Sequence, residues 1–247
     1  MNTSHTQRVA IVTGASRGIG AEIARRLGQD GFAVVINYAS KHEEAQAVVA
    51  ALKAKGVHAI AVQGDVSKAG DVTALFDATE KAFGHIDVLV NNAGILQTQP
   101  LSEHDDALFD RTFNVNVKGT FNTLREAGKR MAKGGRIINF SSTTLALNLP
   151  GYAIYNGTKA AVEAFTHVFA KELRGRDITV NAVAPGPVAT ELFLTGKSDE
   201  QIKQFAQMPP LQRLGQPEDI AAVVSFLASP DAAWVNGQIL RANGGLA

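Results

Sequence analysis

The sequence contains no cysteine. That excludes a disulfide framework, a thiolate zinc site and a thiol nucleophile, and it suits a reducing compartment. An excess of either charge is missing too: 24 Lys and Arg stand against 23 Asp and Glu, a formal net charge of +1, with no basic cluster. A nucleic-acid surface is not expected from such a balance. No apolar run approaches the ~18 residues that would span a bilayer, so no membrane partner is expected. The polar start MNTSHTQR has no apolar stretch of the kind a secretory signal carries, and the expected compartment is the cytoplasm. The six histidines (His5, His42, His58, His85, His104, His167) show no ligand spacing such as HExxH, so no metal is expected.

What is present describes an ordinary globule: 247 residues, 45% hydrophobic and 19% charged, suiting one large α/β domain over 1–247. Short β-rich runs at 8–13, 33–37, 58–63, 87–91, 136–141, 178–184 and 238–241 alternate with helical patterns near 18–30, 42–55, 70–83, 104–132, 155–174 and 217–228. Several of the runs are continuously apolar (Val9-Ala-Ile-Val12, Val34-Val-Ile36), as parallel strands covered on both faces require. Alternation of this kind predicts right-handed βαβ units in a doubly wound, Rossmann-type parallel sheet of seven strands. The stretch 185–216, rich in Pro and Gly, is expected to be a loop over the substrate.

The first strand runs into Thr13-Gly14-Ala15-Ser16-Arg17-Gly18-Ile19-Gly20 and then a helix. Glycines without a Cβ allow a tight turn and close approach of backbone to a pyrophosphate, and the helix start offers free N–H groups to the anion. The spacing is GxxxGxG rather than GxGxxG, so the general dinucleotide fingerprint is not met literally. Ligands of such sheets lie outside the carboxyl ends of the strands. Asp65-Val66, Asn91-Asn92-Ala93-Gly94, Ser141-Ser142 and Pro185-Gly186 all fall at those ends. Each alone is ordinary turn chemistry, and Asp65 reads equally as an N-cap of the helix at 70–83. Together, on one rim, they make a candidate site.

Tyr155 and Lys159 are four apart on a helical pattern and share one face. A free tyrosine titrates near ~10, too high for a proton shuttle at neutral pH, and a nearby ammonium lowers that value. Alone, such a spacing usually marks a solvated surface pair. Ser141 and Ser142 invite a nucleophile reading, but no GxSxG elbow surrounds them and no histidine is placed as a base.

Taken in order and with their spacings, Thr13-Gly-x3-Gly-Ile-Gly20, Asn91-Asn-Ala-Gly94, Asn116, Ser142, Tyr155, Lys159 and Pro185-Gly186 resemble the short-chain dehydrogenases/reductases over essentially the whole chain. Val35-Ile-Asn-Tyr-Ala-Ser40 and Ile178-Thr-Val-Asn-Ala-Val-Ala-Pro-Gly186 are similar to the branch of 3-oxoacyl-(acyl-carrier-protein) reductases and hydroxynaphthalene reductases. The resemblance implies a catalytic set. Tyr155 would exchange a proton with the substrate oxygen, Lys159 would hold ribose hydroxyls and depress the tyrosine pKa, and Ser142 would polarise the carbonyl. Asn116 would hold a water linking Lys159 to solvent, or simply kink its helix. Val188 and Thr190 would bind the nicotinamide carboxamide. Gly157 and Asn243 depart from the family pattern: Gly157 would lie close to the cofactor, and Asn243 would touch C-terminal packing.

By the same resemblance Tyr38 takes the position where NAD-specific folds carry an acid, and Asn37-Tyr38-Ala39-Ser40-Lys41 holds no carboxylate. Arg17, Ser40 and Lys41 would instead meet a 2′-phosphate, so NADP(H) is the expected cofactor. Leu145, Leu147, Leu149, Leu192, Phe193, Leu194, Phe205 and Met208 are candidates for an apolar substrate wall. These apolar residues suit an apolar ketone, while Arg176 and Lys133 stand where carrier-protein reductases place bases. A 3-oxoacyl thioester is the first expectation for the substrate, with an acidic carrier protein as a candidate partner, and a small apolar ketone the other. Apolar residues sweep most of the 155–174 helix, Phe169 among them, which predicts a homo-oligomer, a tetramer by the resemblance. Two rivals stay open: an NAD-dependent sugar or polyol dehydrogenase on the same fold, and a nucleotide-sensing protein without turnover.

Overall fold

A computed structural model describes residues 7–247; the first six residues of the polar start, His5 among them, lie outside the described residues. The chain alternates strand and helix. β1 (Val9–Val12), α1 (Gly18–Gln29), β2 (Ala33–Tyr38), α2 (His42–Lys53), β3 (Ala59–Gln63), α3 (Ala69–Phe83) and β4 (Val88–Asn91) form the first half. α4 (Asp106–Phe113), α5 (Gly119–Arg130), β5 (Arg136–Phe140), α6 (Thr144–Leu147), α7 (Ala153–Glu172), β6 (Thr179–Pro185), α8 (Glu191–Leu194), α9 (Asp199–Gln207), α10 (Pro217–Ala228) and β7 (Ile239–Ala242) complete it. The seven strands make one parallel sheet in the order β3-β2-β1-β4-β5-β6-β7.

The alternation of a strand's side chains explains why the apolar runs are continuous. Ala10, Val12, Val34 and Ile36 point to one face, where Ile23, Leu27, Val48, Leu52, Ile220, Val224 and Leu227 from α1, α2 and α10 cover them. Ile11 and Val35 point to the other, under Val72, Leu75 and Phe76 of α3 and Leu124 of α5. Both faces are therefore dry, and β1, β2, β4 and β5 are buried along their whole length.

Two expectations need correction. The pattern at 104–132 is not one helix: α4 and α5 are joined by a π-helical turn at Asn114–Lys118. The buried Asn116 side chain accepts from Ile95 N (2.9 Å) and donates to Ile95 O (2.9 Å) and to the Thr158 hydroxyl (3.1 Å), contacts that reach 21 and 42 residues along the chain. An inserted residue of this kind is the usual content of a π-bulge. The stretch 185–216 is not structureless either. It carries α8, capped by the Thr190 hydroxyl, and α9, capped by a reciprocal Ser198–Gln201 box.

Candidate active site

Strand order reverses at β1, flanked by β2 on one side and β4 on the other. At that point two clefts meet at the carboxyl ends of the strands, as the topology of such sheets requires. The larger, 670 Å³, is lined by Gly14, Ser16, Arg17, Gly18, Ile19 and Gly20 of the first turn, and by Tyr38, Ala39, Ser40 and Lys41 beyond β2. Asp65 and Val66 after β3 and Asn92, Ala93 and Gly94 after β4 close it. The smaller, 160 Å³, is lined by Ser142, Tyr155, Lys159, Pro185, Gly186, Val188 and Thr190, and shares Ile19, Asn92, Gly94 and Thr190 with the first. Fold and sequence thus bring every expected catalytic and cofactor-binding residue but Asn116 to the cleft walls. Asn116 lies just beneath, its Oδ1 3.4 Å from where a Cβ on Gly94 would stand.

The first turn owes its shape to its glycines. Gly14 has φ +61°, and a Cβ there would sit 2.9 Å from the Ala93 backbone. A Cβ on Gly20 would fall 2.5 Å from both Asn92 Nδ2 and Gly14 O, so Gly20 serves the packing of the turn against β4. No side chain caps the start of α1 and no acid lies in its first turn. The first residues of α1, Gly18, Ile19 and Gly20, line the larger cleft, and an uncapped helix start there fits a dinucleotide pyrophosphate.

The adenosine end differs in detail from expectation. Tyr38 is buried, its hydroxyl 2.6 Å from His42 Nδ1. Ala39 is the first exposed position past β2, and the turn holds no carboxylate. Arg17 and Lys41 are not free cations: Arg17 pairs with Glu191 at 2.6 Å and Lys41 with the partly buried Glu44 at 3.4 Å. Asp65 does not cap α3, because its Oδ1 accepts from Ser67 N (2.9 Å) and the Ser67 hydroxyl (2.7 Å). Arg111, Asn114, Val115 and Glu191 also line this cleft. Nothing local in the sequence signals them, since their position depends on the π turn and on α8.

Around the smaller cleft, Lys159 is buried and donates to Phe140 O at 2.7 Å, with its Nζ 5.5 Å from the centre of the Tyr155 ring. Burial without a carboxylate partner lowers Lys159 to about 8. Tyr155, half-buried in the cleft wall, is pushed up to about 12, chiefly by desolvation. The Lys159 ammonium lies against the ring and is bound to a backbone carbonyl. Ser142 Oγ accepts from Thr144 N at 3.2 Å. Its neighbour Ser141 donates instead to Glu163 at 2.5 Å.

The substrate wall is apolar but not composed as expected. Leu147, Leu149, Leu192, Phe193 and Phe205 line it, with Phe193 and Phe205 edge to face at 5.2 Å. Leu145, Leu194 and Met208 do not; Ile95, Leu96, Tyr152 and Leu246 take their place. Asn243 reaches further than tail packing, because its Nδ2 donates to the Thr143 hydroxyl beside Ser142 (3.2 Å). A Cβ on Gly157 would stand 3.7 Å from the Phe113 ring of α4, and Gly157 does not line the cleft. Arg176 and Lys133 are not a free basic patch: Arg176 donates to Gly128 O and Met131 O, and Lys133 pairs with Asp177 at 3.2 Å. Phe169 turns inward against Gly128, and Val168, 55% exposed, takes the outer face of α7.

The chain matches a family model described as enoyl-(acyl carrier protein) reductase over residues 14–247. It is 47% identical over 248 residues to a short-chain type dehydrogenase/reductase of Picea abies, covering 96% of this chain and 92% of that one. A 3-oxoacyl-(acyl-carrier-protein) reductase of Staphylococcus aureus is 44% identical, covering 96% and 97%. The crystal structure of a short chain dehydrogenase from Burkholderia cenocepacia in complex with NADP superposes with a TM-score of 0.91 at 38% identity, covering 98% of this chain and 99% of that one. With the nucleotide turn, the Ser142–Tyr155–Lys159 cluster and the reversal of strand order in place, this chain belongs to the short-chain dehydrogenase/reductase family of oxidoreductases.

Proposed function

We propose that the protein is an NADP(H)-dependent reductase of apolar ketones, working as one nucleotide-binding and catalytic unit with 185–216 covering the substrate. The observation that carries this reading is the placement of Tyr155, Ser142 and Lys159 in an apolar cleft that opens onto a dinucleotide-sized one. The cofactor, when bound, supplies hydride to the carbonyl carbon. Negative charge then develops on one oxygen, and donors fixed at that point do most of the stabilising. Tyr155, held protonated by burial, gives its proton to that oxygen. Ser142 binds the same oxygen from the β5 side. Lys159, which keeps most of its charge at neutral pH, holds the ribose hydroxyls and stabilises the phenolate once the proton has left. Asn116 binds Ile95 and Thr158 with both polar atoms and secures the floor under Lys159; a relay water would share its Oδ1.

The missing acid beyond β2, with Arg17, Ser40 and Lys41 on the cleft rim, supports NADP(H) over NAD(H). The NADP complex of the Burkholderia relative supports it too. Apolar walls with few polar groups favour a ketone over a sugar or polyol. A second reading, 3-oxoacyl thioester reduction, is favoured by the Staphylococcus relative. Against it, the two bases proposed to meet an acidic carrier are bound elsewhere. A non-catalytic nucleotide sensor would not need the tyrosine–lysine pair. Exposed Phe109, Phe121 and Val168 on α4, α5 and α7 support a homo-oligomer through that face. The test is an initial-rate panel with NADPH and NADH against acetophenone, acetoacetyl thioesters, and a ketose. Turnover of the aryl ketone with NADPH supports the proposal; turnover confined to the sugar or to NADH contradicts it.

A further inference from the structure

Four hydrogen bonds around Ser142 can be solved for the direction of each proton. Ser142 follows β5, Thr144 opens α6, and Asn156 stands beside Tyr155 on α7. Asn156 Nδ2 donates to Thr144 O at 3.0 Å. A backbone carbonyl only accepts, so the amide nitrogen must face it, and Asn156 Oδ1 must face the Thr144 hydroxyl, 2.7 Å away. Oδ1 also only accepts. The single proton of Thr144 is therefore committed to Asn156. The two hydroxyl oxygens of Thr144 and Ser142 are 2.9 Å apart. With the Thr144 proton committed, that contact can be made only by Ser142 donating to Thr144. Ser142 also accepts from Thr144 N at 3.2 Å, which leaves one lone pair and no proton for the cleft.

We propose that Thr144 and Asn156 are positioning residues that hold the Ser142 hydroxyl proton away from the cleft, so that Ser142 meets Tyr155 as an acceptor until a carbonyl substrate draws its proton round. An acceptor at that point keeps Tyr155 in the protonated form from which a reductase starts. The arrangement has a cost for ketone binding. To donate to a carbonyl oxygen, Ser142 must give up its bond to Thr144, and the Thr144 lone pair then loses its donor in a partly buried site. The Thr144 amide keeps the serine oxygen in place throughout, so only the proton moves.

The two consequences are measurable separately. One rests on the ketone-reductase reading: Thr144→Val removes the competing acceptor without removing the amide, and should lower the KM for acetophenone about threefold to tenfold, the worth of one neutral hydrogen bond, with kcat little changed. Asn156→Leu frees the Thr144 proton to turn to Ser142 and should act in the same direction, while Thr144→Ser should restore the wild-type KM. The other consequence needs no substrate. A Ser142 proton released toward Tyr155 stabilises the phenolate, so the Tyr155 titration, followed by phenolate absorbance against Tyr155→Phe as blank, should move to lower pH in Thr144→Val and return in Thr144→Ser. Lys159 and Tyr152, the other titratable groups against that ring, are the same in every variant. An unchanged Tyr155 titration in Thr144→Val overturns the proposal whatever the turnover. A shifted titration in a protein that reduces no ketone upholds it and removes the reductase reading alone.

Discussion

Arg17 in the nucleotide turn and Glu191 at the first position of α8 are joined by an ion pair of 2.6 Å. One contact thus ties the glycine-rich turn to α8, whose Leu192 and Phe193 line the smaller cleft. Both side chains are at least half solvent-accessible (50% and 68%), and such pairs contribute about 0–1 kcal/mol. A 2′-phosphate, doubly charged and offering several acceptors, competes for Arg17 on favourable terms. NADPH should bind about 10-fold tighter than NADH, ~1.4 kcal/mol. Arg17→Ala should erase most of that ratio, and Glu191→Gln should widen it by about twofold to fivefold, since a rim charge is then free for the phosphate. Calorimetric titration of both cofactors checks this, and a ratio that ignores both substitutions removes Arg17 from phosphate recognition.

An acid placed beyond β2 should reverse the preference. Tyr38 is a poor site for it, because its ring is buried and a carboxylate there would be desolvated. Ala39 is exposed on the cleft wall. Ala39→Asp should favour NADH, by hydrogen bonding a ribose diol and repelling a phosphate. Retention of NADPH preference by a folded Ala39→Asp variant would show that another group sets the choice.

Lys159 also carries a pH signature in stability. Burial lowers its pKa from 10.5 to about 8, so the folded chain disfavours the charged form. The stability that the neutral amine allows above 10.5 is lost as pH falls through about 8. Lys159→Met cannot titrate. Relative to wild type it should gain up to about 3 kcal/mol as pH is lowered from 10.5 to 8, measured by urea unfolding of the cofactor-free protein. A stability difference independent of pH in that window would mean that Lys159 is solvated.

Much of this architecture is legible in the residues themselves. Strands such as Val9–Val12 and Ala33–Tyr38 are covered on both faces, which leaves uninterrupted apolar runs, and the Gly14–Gly20 turn fixes where the nucleotide cleft begins. Pro217 and the Gln216–Asp219 capping box mark the start of α10 locally. What could not be read depends on distant partners. The break between α4 and α5 follows from Asn116 meeting Ile95 and Thr158. Leu246 reaches the substrate cleft only because the tail folds back over Thr143, and Arg17 finds Glu191 across 174 positions of chain. Phe169 and Val168 are adjacent and equally apolar; the space left by Gly128 decides which one turns inward.

That last distinction directs the test of assembly. Val168 with Phe121 and Phe109 leaves apolar surface on the α4–α5–α7 side. Val168→Glu should dissociate an oligomer formed there while sparing the fold, because the side chain is exposed in the protomer. Sedimentation at micromolar concentration should show an oligomer for wild type and smaller species for the variant; a monomeric wild type would contradict the proposed interface.

The most direct measurement is the turnover of Tyr155→Phe with NADPH and the preferred ketone. The substitution removes one hydroxyl from the cleft wall and leaves the nucleotide turn untouched. The account predicts unchanged NADPH affinity and a kcat lowered by at least ~10², the range of acid–base catalysis. Retention of more than about a tenth of wild-type turnover, well short of that loss, would contradict the role given to Tyr155.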